Sequence, residues 1–375
     1  MNILSFVHLR NIHRSTGAGR VARQLTEKMA IQPAVNLRVL ADAGDHRRII
    51  PLVGTPWTTY QYHLFENSTS RQQAGWMLTN QPAAEKFWPA VQVTHCTMES
   101  YVPTQRGRLA ITVHDAAYFE QGAHQCSLRN SLQRWKWNLL YKILARRADL
   151  FHTVSEFSAE RLGSFFPAIR SRLRVVPNAP SQRFRQPVSP ESERWLSETG
   201  LGQRNYVLLP GGLHFRKNAD LVLKAWEILR QRNRDVVLVV SGHSDPRYSA
   251  AAEALGASIR FLGFIGDDHL CSLYHAAQVV WFPSKYEGFG IPILESMCCG
   301  TPVVASDCSS IPEVAGNAAI LMPPTDAGAH ADALITMLQN SQLRDEYKVR
   351  GEKRAEQYSW ERSASELHAL FQAMI

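Results

Sequence analysis

Short runs of apolar residues rich in Val, Leu, Ile and Phe recur along the chain, separated by longer stretches whose apolar positions return at helical spacing. Strands that are apolar on both faces alternate with amphipathic helices in parallel sheets, so the pattern predicts a βαβ series. In the first half the predicted strands are Asn2 to His8, Leu37 to Leu40, Val91 to His95, Leu109 to Val113, Leu150 to Val154 and Leu173 to Val176, with a helix from about Ala18 to Ala30. The segment Pro177 to Glu193 carries four prolines and no apolar periodicity, which predicts a linker. A second series follows at Tyr206 to Leu209, Val236 to Val240, Ile259 to Leu262, Gln278 to Phe282, Pro302 to Ala305 and Ala319 to Leu321, and from Thr325 the pattern is helical throughout. Two parallel-sheet domains joined this way are expected to place their carboxyl edges across a cleft, where ligands bind.

Length agrees with two domains, because 375 residues exceed what one core comfortably organises. No apolar run approaches the ~18 residues of a membrane span, and MNILSFVHLRN is too short in apolar residues for a secretory signal and reads as a first strand. The six cysteines, Cys96, Cys126, Cys271, Cys298, Cys299 and Cys308, show no metal-ligand spacing, and a reducing cytoplasm is expected. The net charge of +8 is unevenly placed. From Gln121 to Ala148 there is no acid, while Arg129, Arg134, Lys136, Lys142, Arg146 and Arg147 alternate with Leu132, Trp135, Trp137, Leu139, Leu140 and Ile143. At helical spacing most of these apolar residues share one broad face, with Lys136 and Arg147 intruding on it. Two readings stand: a helix resting on anionic lipid, or a domain helix whose cations snorkel. Nucleic acid is not expected, since no helix-turn-helix, RNA-binding aromatic signature or zinc pattern accompanies the charge.

The densest chemistry lies in Pro283 to Pro302, PSKYEGFGIPILESMCCGTP. Gly288-Phe289-Gly290 and Pro292 disfavour a helix interior, so Glu287 is expected in a loop and Glu295 one turn into a helix starting near Ile291 or Pro292. Both carboxylates could then face one cleft, with the amides of Gly288, Phe289, Gly290 and Ile291 at a helix start suited to an anion or to sugar hydroxyls. A glutamate in a first helical turn also serves simply as a macrodipole partner on a wet surface. The flanking apolar strands favour the ligand reading, because they put the loop at the carboxyl edge of the sheet. After the strand Tyr206 to Leu209 comes PGGLHFRKN, whose adjacent Arg216 and Lys217 can neutralise a diphosphate. The chain has no Asp-x-Asp pair to hold a divalent cation on a nucleotide. In the first half, Ser15-Thr16-Gly17-Ala18-Gly19-Arg20 offers close backbone approach, but Ala22 breaks the Gly-x-Gly-x-x-Gly spacing of nicotinamide-binding loops. His114-Asp115 closes the strand Leu109 to Val113 and would point an imidazole into the cleft, or serve as a hydrogen-bonded structural histidine.

Taken in order, STGAGR, ITVHD at 111–115, TVSEFSAERL at 153–162, RVVPNA at 174–179, LPGGLHFRKN at 209–218, the long stretch 261–306, IPEVAG at 311–316 and SWERSA near the end resemble the retaining group 1 glycosyltransferases, family 4. The resemblance implies an α/β GT-B fold: an acceptor-side Rossmann-like domain at 1–178, a sugar-nucleotide-binding Rossmann-like domain at 179–358, and a helix at 359–375 crossing back to the first. It implies that Glu295 binds the ribose hydroxyls and that Glu287 meets the donor sugar near its anomeric face. Arg216 and Lys217 would hold the diphosphate with Gly17 and Gly19 closing over it, His114 would contact the sugar ring, and Gly288, Phe289, Gly290 and Ile291 would steady sugar and phosphates by main-chain groups. The loop from Phe264 would border the base. No metal and no cofactor is implied beyond the sugar nucleotide, which is the donor substrate. The RKN form of the cation loop and IPEVAGNAAIL resemble members that move mannose from GDP-mannose to a glycan or lipid-linked acceptor of surface polysaccharide, at the inner face of the membrane. The alternatives are a UDP-hexose-dependent transferase of the same fold and a noncatalytic GT-B subunit. Ala179 stands where the family often has Gly, and Cys298-Cys299 replaces small residues.

Overall fold

The computed structural model describes the chain outside positions 14–16, 121–127, 203, 204, 234 and 254, with side chains 128–130 also outside the description. Ser15 and Thr16 of the first glycine loop, Cys126 and the Arg129 side chain therefore lie outside the described residues. Two compact units are present. The first comprises Met1–Phe119, 128–178 and Trp360–Ile375, and the second Ala179–Ser359.

The first unit is built on seven parallel strands: β1 Asn2–Phe6, β2 Asn36–Asp42, β3 Gln61–Phe65, β4 Val93–Cys96, β5 Arg108–Val113, β6 Leu150–Thr153 and β7 Leu173–Val175. Their order is β3-β2-β1-β4-β5-β6-β7, so the winding direction reverses between β1 and β4. Central β4 and β5 are buried almost throughout, as strands covered by helices on both faces must be, although β4 carries Thr94 and His95 among its four residues. The edge strand β3 was not foreseen. Its sequence QYHLF buries only Phe65, because an edge strand can leave most of its side chains half-exposed and so lacks an apolar run.

In the second unit β8 Tyr206–Pro210, β9 Val237–Ser241, β10 Ile259–Gly263, β11 Val279–Phe282, β12 Val303–Ser306 and β13 Ala319–Met322 pair in parallel. Their order is β10-β9-β8-β11-β12-β13, with the reversal between β8 and β11. The helix Ala219–Arg232 packs Val222, Ala225, Trp226 and Leu229 onto one face of this sheet.

The linker expectation for Pro177 to Glu193 is corrected in its second half. Ser181 caps the 3-10 turn Gln182–Arg185, whose Phe184 is fully buried, and Ser189 caps the helix Pro190–Glu198 by accepting from the Ser192 amide at 3.2 Å. Pro190 sits in the first turn, where its missing N–H costs nothing, so this proline starts a helix rather than preventing one. The final helix Trp360–Gln372 belongs to the first unit. There Ser363 donates to Pro177 O at 2.6 Å, Glu361 pairs with Lys28 at 2.8 Å, and Phe371 meets the buried His95 ring edge-on.

Candidate active site

Strand β8 ends in Gly211-Gly212, both at positive φ, and the two amides share the Ser241 carbonyl of β9 at 2.8 Å. A Cβ on Gly212 would fall 2.0 Å from the His243 carbonyl oxygen, so only glycine lets the β8 and β9 ends close. The chain then makes a short 3-10 turn, Phe215–Lys217, before Asn218 starts the next helix in left-handed conformation and ties it down by donating to Pro324 O at 2.7 Å. This turn places Lys217 beside the carboxyl end of β11, the neighbour of β8 across the reversal in strand order. Ligands bind at such switch points of parallel sheets.

Glu287 reaches the same spot from the loop after β11. Its Oε1 accepts from Lys217 Nζ at 2.7 Å, both side chains are buried, and the ammonium also lies 4.1 Å from the centre of the Phe282 ring. Burial alone would raise the Glu287 carboxyl, yet the charges of Lys217 and Arg216 outweigh it and hold the group below its ordinary value. Burial pulls Lys217 down against the attraction of Glu287. Nearby His214 is driven to about 4, by burial first and then by Lys217 and Arg216. The sequence reading gave Lys217 and Glu287 separate tasks; the structure joins them as one buried ion pair. Serine side chains fix the loop: Ser309 Oγ accepts the Glu287 amide at 3.0 Å, and Ser310 Oγ donates to the carbonyls of Glu287 and Phe289 at 2.9 Å. Lys285 N also bonds Arg216 O at 2.9 Å, stitching the two loops together.

Gly290, at φ 105°, caps the helix Ile291–Cys298, a conformation that excludes most side chains. Ile293 N closes a tight turn on Gly290 O at 3.0 Å and Pro292 has no amide, so Ile291 carries the N–H at the head of the helix. Glu295 follows one turn later, buried, with Oε2 accepting from Tyr274 OH at 3.1 Å. Phe289 is buried edge-on against Tyr358. Phe264, in the loop after β10, is 68% exposed and offers a bare aromatic face.

The remaining expected residues, Gly17, Gly19 and His114, belong to the first unit. Gly17 and Gly19 open the helix Gly17–Ala30, with no atom within 4 Å of where a Gly17 Cβ would stand. His114 follows β5; its amide donates to Glu99 at 2.8 Å, and its buried Nε2 meets no partner among the described residues.

The first unit also holds a site that sequence reading missed. At the reversal between β1 and β4, His8 Nε2 lies 2.9 Å from Ser100 Oγ, and these two residues with Asp45, Gln73, Glu99 and Trp137 help line a cavity of about 560 Å³. Desolvation drives His8 to about 4 and raises Glu99. Its lining comes from segments far apart in sequence, none with a motif of its own; the one available signal was that His8 ends the predicted first strand.

Comparison with known proteins places this geometry. The family described as Glycosyl transferases group 1 matches residues 191–354. The O-antigen chain mannosyltransferase B of Escherichia coli is 32% identical over 267 residues, spanning 70% of this chain and 69% of that protein. A phosphatidyl-myo-inositol mannosyltransferase of Mycobacterium tuberculosis is 35% identical over 167 residues, 42% of this chain and 44% of that one. Among solved structures, a sucrose-phosphate synthase from Thermosynechococcus elongatus superposes with a TM-score of 0.78 at 18% identity, covering 100% of this chain and 99% of the other.

Proposed function

The chain belongs to the group 1 glycosyltransferases and has their GT-B fold, and within that family we propose that it moves mannose, with retention of configuration, from GDP-mannose to a glycan or lipid-linked acceptor of surface polysaccharide. The observation that carries this reading is the buried Lys217–Glu287 pair at the switch point of the second sheet, with Glu295 eight residues after Glu287 on the same short segment. The name of the Escherichia coli relative supports mannose as the sugar.

In this reading Glu295, steadied by Tyr274, accepts from the ribose hydroxyls, and Phe264 borders the base. Arg216 and Lys217 face the diphosphate. Only one of the three ammonium donors of Lys217 is taken by Glu287, so the others can follow the charge that grows on the leaving phosphate. Glu287 faces the sugar near C1 and favours the developing oxocarbenium charge. The acceptor hydroxyl adds to C1 from the face the diphosphate leaves; the C1–O bond to phosphate breaks, the new C1–O bond forms, and the acceptor proton passes to the departing phosphate oxygen. These side-chain cations are proposed to meet the phosphate charge without a metal ion. The cavity beside His8 and Ser100 is assigned to the acceptor.

A membrane-surface role is proposed for the helix Leu128–Arg147, at the inner face of the membrane. Leu132, Trp135 and Leu139 are exposed on one line of that helix, interleaved with Lys136, Lys142 and Arg146. This revises the single broad apolar face expected from sequence: Leu140, Tyr141 and Leu144 form a separate, buried stripe, and Lys136 and Arg147 fall between the two. No helix among the described residues is long and apolar enough to cross a membrane.

Calorimetry with GDP-mannose, UDP-glucose and UDP-N-acetylglucosamine, followed by NMR of the product anomer and assay with and without a chelator, tests the whole proposal. GDP-mannose is expected to bind best and to give an α-linked product at an unchanged rate under chelation. A UDP-hexose winning the panel would replace the donor, and no binding by any would restore the noncatalytic reading.

A further inference from the structure

Three residues that the donor site does not use come together behind it. Cys271 and His275 lie one turn apart on the helix Asp267–Ala276, which puts both on one face, and Cys299 follows the helix Ile291–Cys298. One ligand atom from each, two sulfurs and a ring nitrogen, lie within 4.8 Å of one another. Ligands of one tetrahedral zinc ion stand about 3.5–3.8 Å apart, given Zn–S near 2.3 Å and Zn–N near 2.0–2.1 Å. The trio is thus no more than about 1.3 Å from a coordinating set, a distance that side-chain rotation can close. The linear spacing of the cysteines shows no ligand pattern; the fold supplies one.

We propose that Cys271, His275 and Cys299 form a binding site for a thiophilic divalent cation of the zinc class. The frame is rigid: Cys299 N is bonded to the carbonyls of Glu295 and Ser296 at 3.2 and 3.1 Å, and both cysteines are buried. Exposed His275 gives the ion a way in from solvent. Two carbonyl oxygens of the neighbouring 3-10 turn complete the surroundings, Arg183 O at 3.6 Å from Cys271 Sγ and Phe184 O at 3.5 Å from Cys299 Sγ. Those are ligand-to-ligand separations, so the fourth position falls to one of these carbonyls or to a water beside His275. Binding would send the thiol protons of Cys271 and Cys299 to solvent and leave two thiolates that neutralise the ion. Nearby Arg183 is itself paired with Asp268. A bound ion would clamp together the helices that carry Tyr274 and Glu295.

The test uses the full chain, stripped of metal and kept reduced without oxygen, titrated with Co²⁺ and then Zn²⁺. One equivalent of Co²⁺ is expected to give intense visible bands of tetrahedral coordination and near-ultraviolet thiolate charge transfer, both erased by Zn²⁺. Cys271→Ser and Cys299→Ser are expected to weaken zinc binding roughly a hundredfold or more, since even outer partners of ligands are worth about 10–100-fold. His275→Ala should weaken it less, and Cys308→Ser should match the wild type. Zn²⁺ should raise Tm only in chains that keep the trio, which separates lost binding from a variant that folds poorly. Weak octahedral Co²⁺ bands, or bands that survive Cys271→Ser with Cys299→Ser, would overturn the site. So would a Cys271–Cys299 disulfide formed with oxidised glutathione in a chain that takes up no metal when reduced.

Discussion

The two units share a topology and treat its switch point in opposite ways. In the second, the reversal between β8 and β11 closes on a buried ion pair, Lys217 with Glu287, held by glycine turns and serine hydrogen bonds. In the first, the reversal between β1 and β4 opens into a cavity of about 560 Å³ beside a histidine that burial keeps neutral. In the proposed reading the second unit's site meets a donor diphosphate, which is the same in every turnover and rewards fixed charge. The acceptor takes the roomier cavity, lined by both signs of charge in Arg10, Asp45, Glu99 and Lys136, none of them paired across the reversal, among the described residues, as Lys217 and Glu287 are.

The sharpest way to break this contrast is to remove the fixed charge. Glu287→Ala leaves Lys217 buried without its partner, and loss of one member of a buried pair costs about 3–5 kcal/mol. Urea unfolding should show that loss, and turnover should fall to near background. Lys217→Met combined with Glu287→Leu should recover most of the stability, because an apolar pair of similar volume carries no desolvation cost, and should recover none of the activity. If Glu287→Ala unfolded at the wild-type midpoint, the pair would not be the fixed element described.

Acid should act the other way, striking the first unit harder. His95 and His152 are buried on either side of Thr112, whose hydroxyl lies 2.9 Å from His95 Nε2 and 3.2 Å from His152 Nδ1. Burial, first, and the neighbouring histidines push His95 down to about 3; burial, then His114, against a bond to Val176 O, puts His152 at about 4. Both remain neutral in the fold, while the unfolded chain takes up protons below about 6.5. Their contribution is complete above that value and is lost as pH falls from there toward 4. At about pH 5.5 the loss for the two together is on the order of a few kcal/mol. Among the described residues the second unit holds His330, fully buried on the helix Ala327–Gln339, and His214, half-buried in the loop after β8, each at about 4 but neither on a central strand. Hydrogen exchange should therefore show β4, β5 and β6 opening before β8, β11 and β12 in acid; the reverse order would contradict the contrast.

Within the proposed donor site the effects become smaller. Glu295→Ala removes hydrogen bonds to a charged group, about 2 kcal/mol, so nucleotide affinity measured by calorimetry should fall roughly thirtyfold with the fold intact. Tyr274→Phe removes only the bond that orients Glu295, about 1 kcal/mol, for roughly a fivefold loss. Equal losses for the two would mean that Glu295 does not itself touch the nucleotide.

Legibility in the sequence follows the same divide. Strands such as β9 and β11 were readable because burial on both faces makes them almost continuously apolar, whereas β3 was not, being an edge with one buried residue. The glutamate loop was readable because its glycines, proline and carboxylates are local. The pairing of Lys217 with Glu287 was not, since it depends on β8 and β11 being neighbours across 70 residues. His8 with Ser100, and Cys271 with Cys299, were hidden for the same reason: each pair is made by strand order or helix packing rather than by spacing. In the helix Leu128–Arg147 a single apolar count merged two stripes that burial separates.

The exposed stripe of that helix supplies the last and smallest test. Trp135 is 62% exposed and Leu132 56%, values that a helix packed on its own domain alone does not require. Each Lys or Arg near an anionic bilayer contributes about 1 kcal/mol. Lys142→Ala should thus lower binding to vesicles containing phosphatidylglycerol about fivefold, with no change on neutral vesicles and none in donor affinity. Trp135→Ser should weaken binding to both vesicle types, since its indole would enter the headgroup region without regard to charge. If neither substitution moves flotation, the stripe serves something other than lipid, and the first unit's contribution to the enzyme narrows to the cavity beside His8.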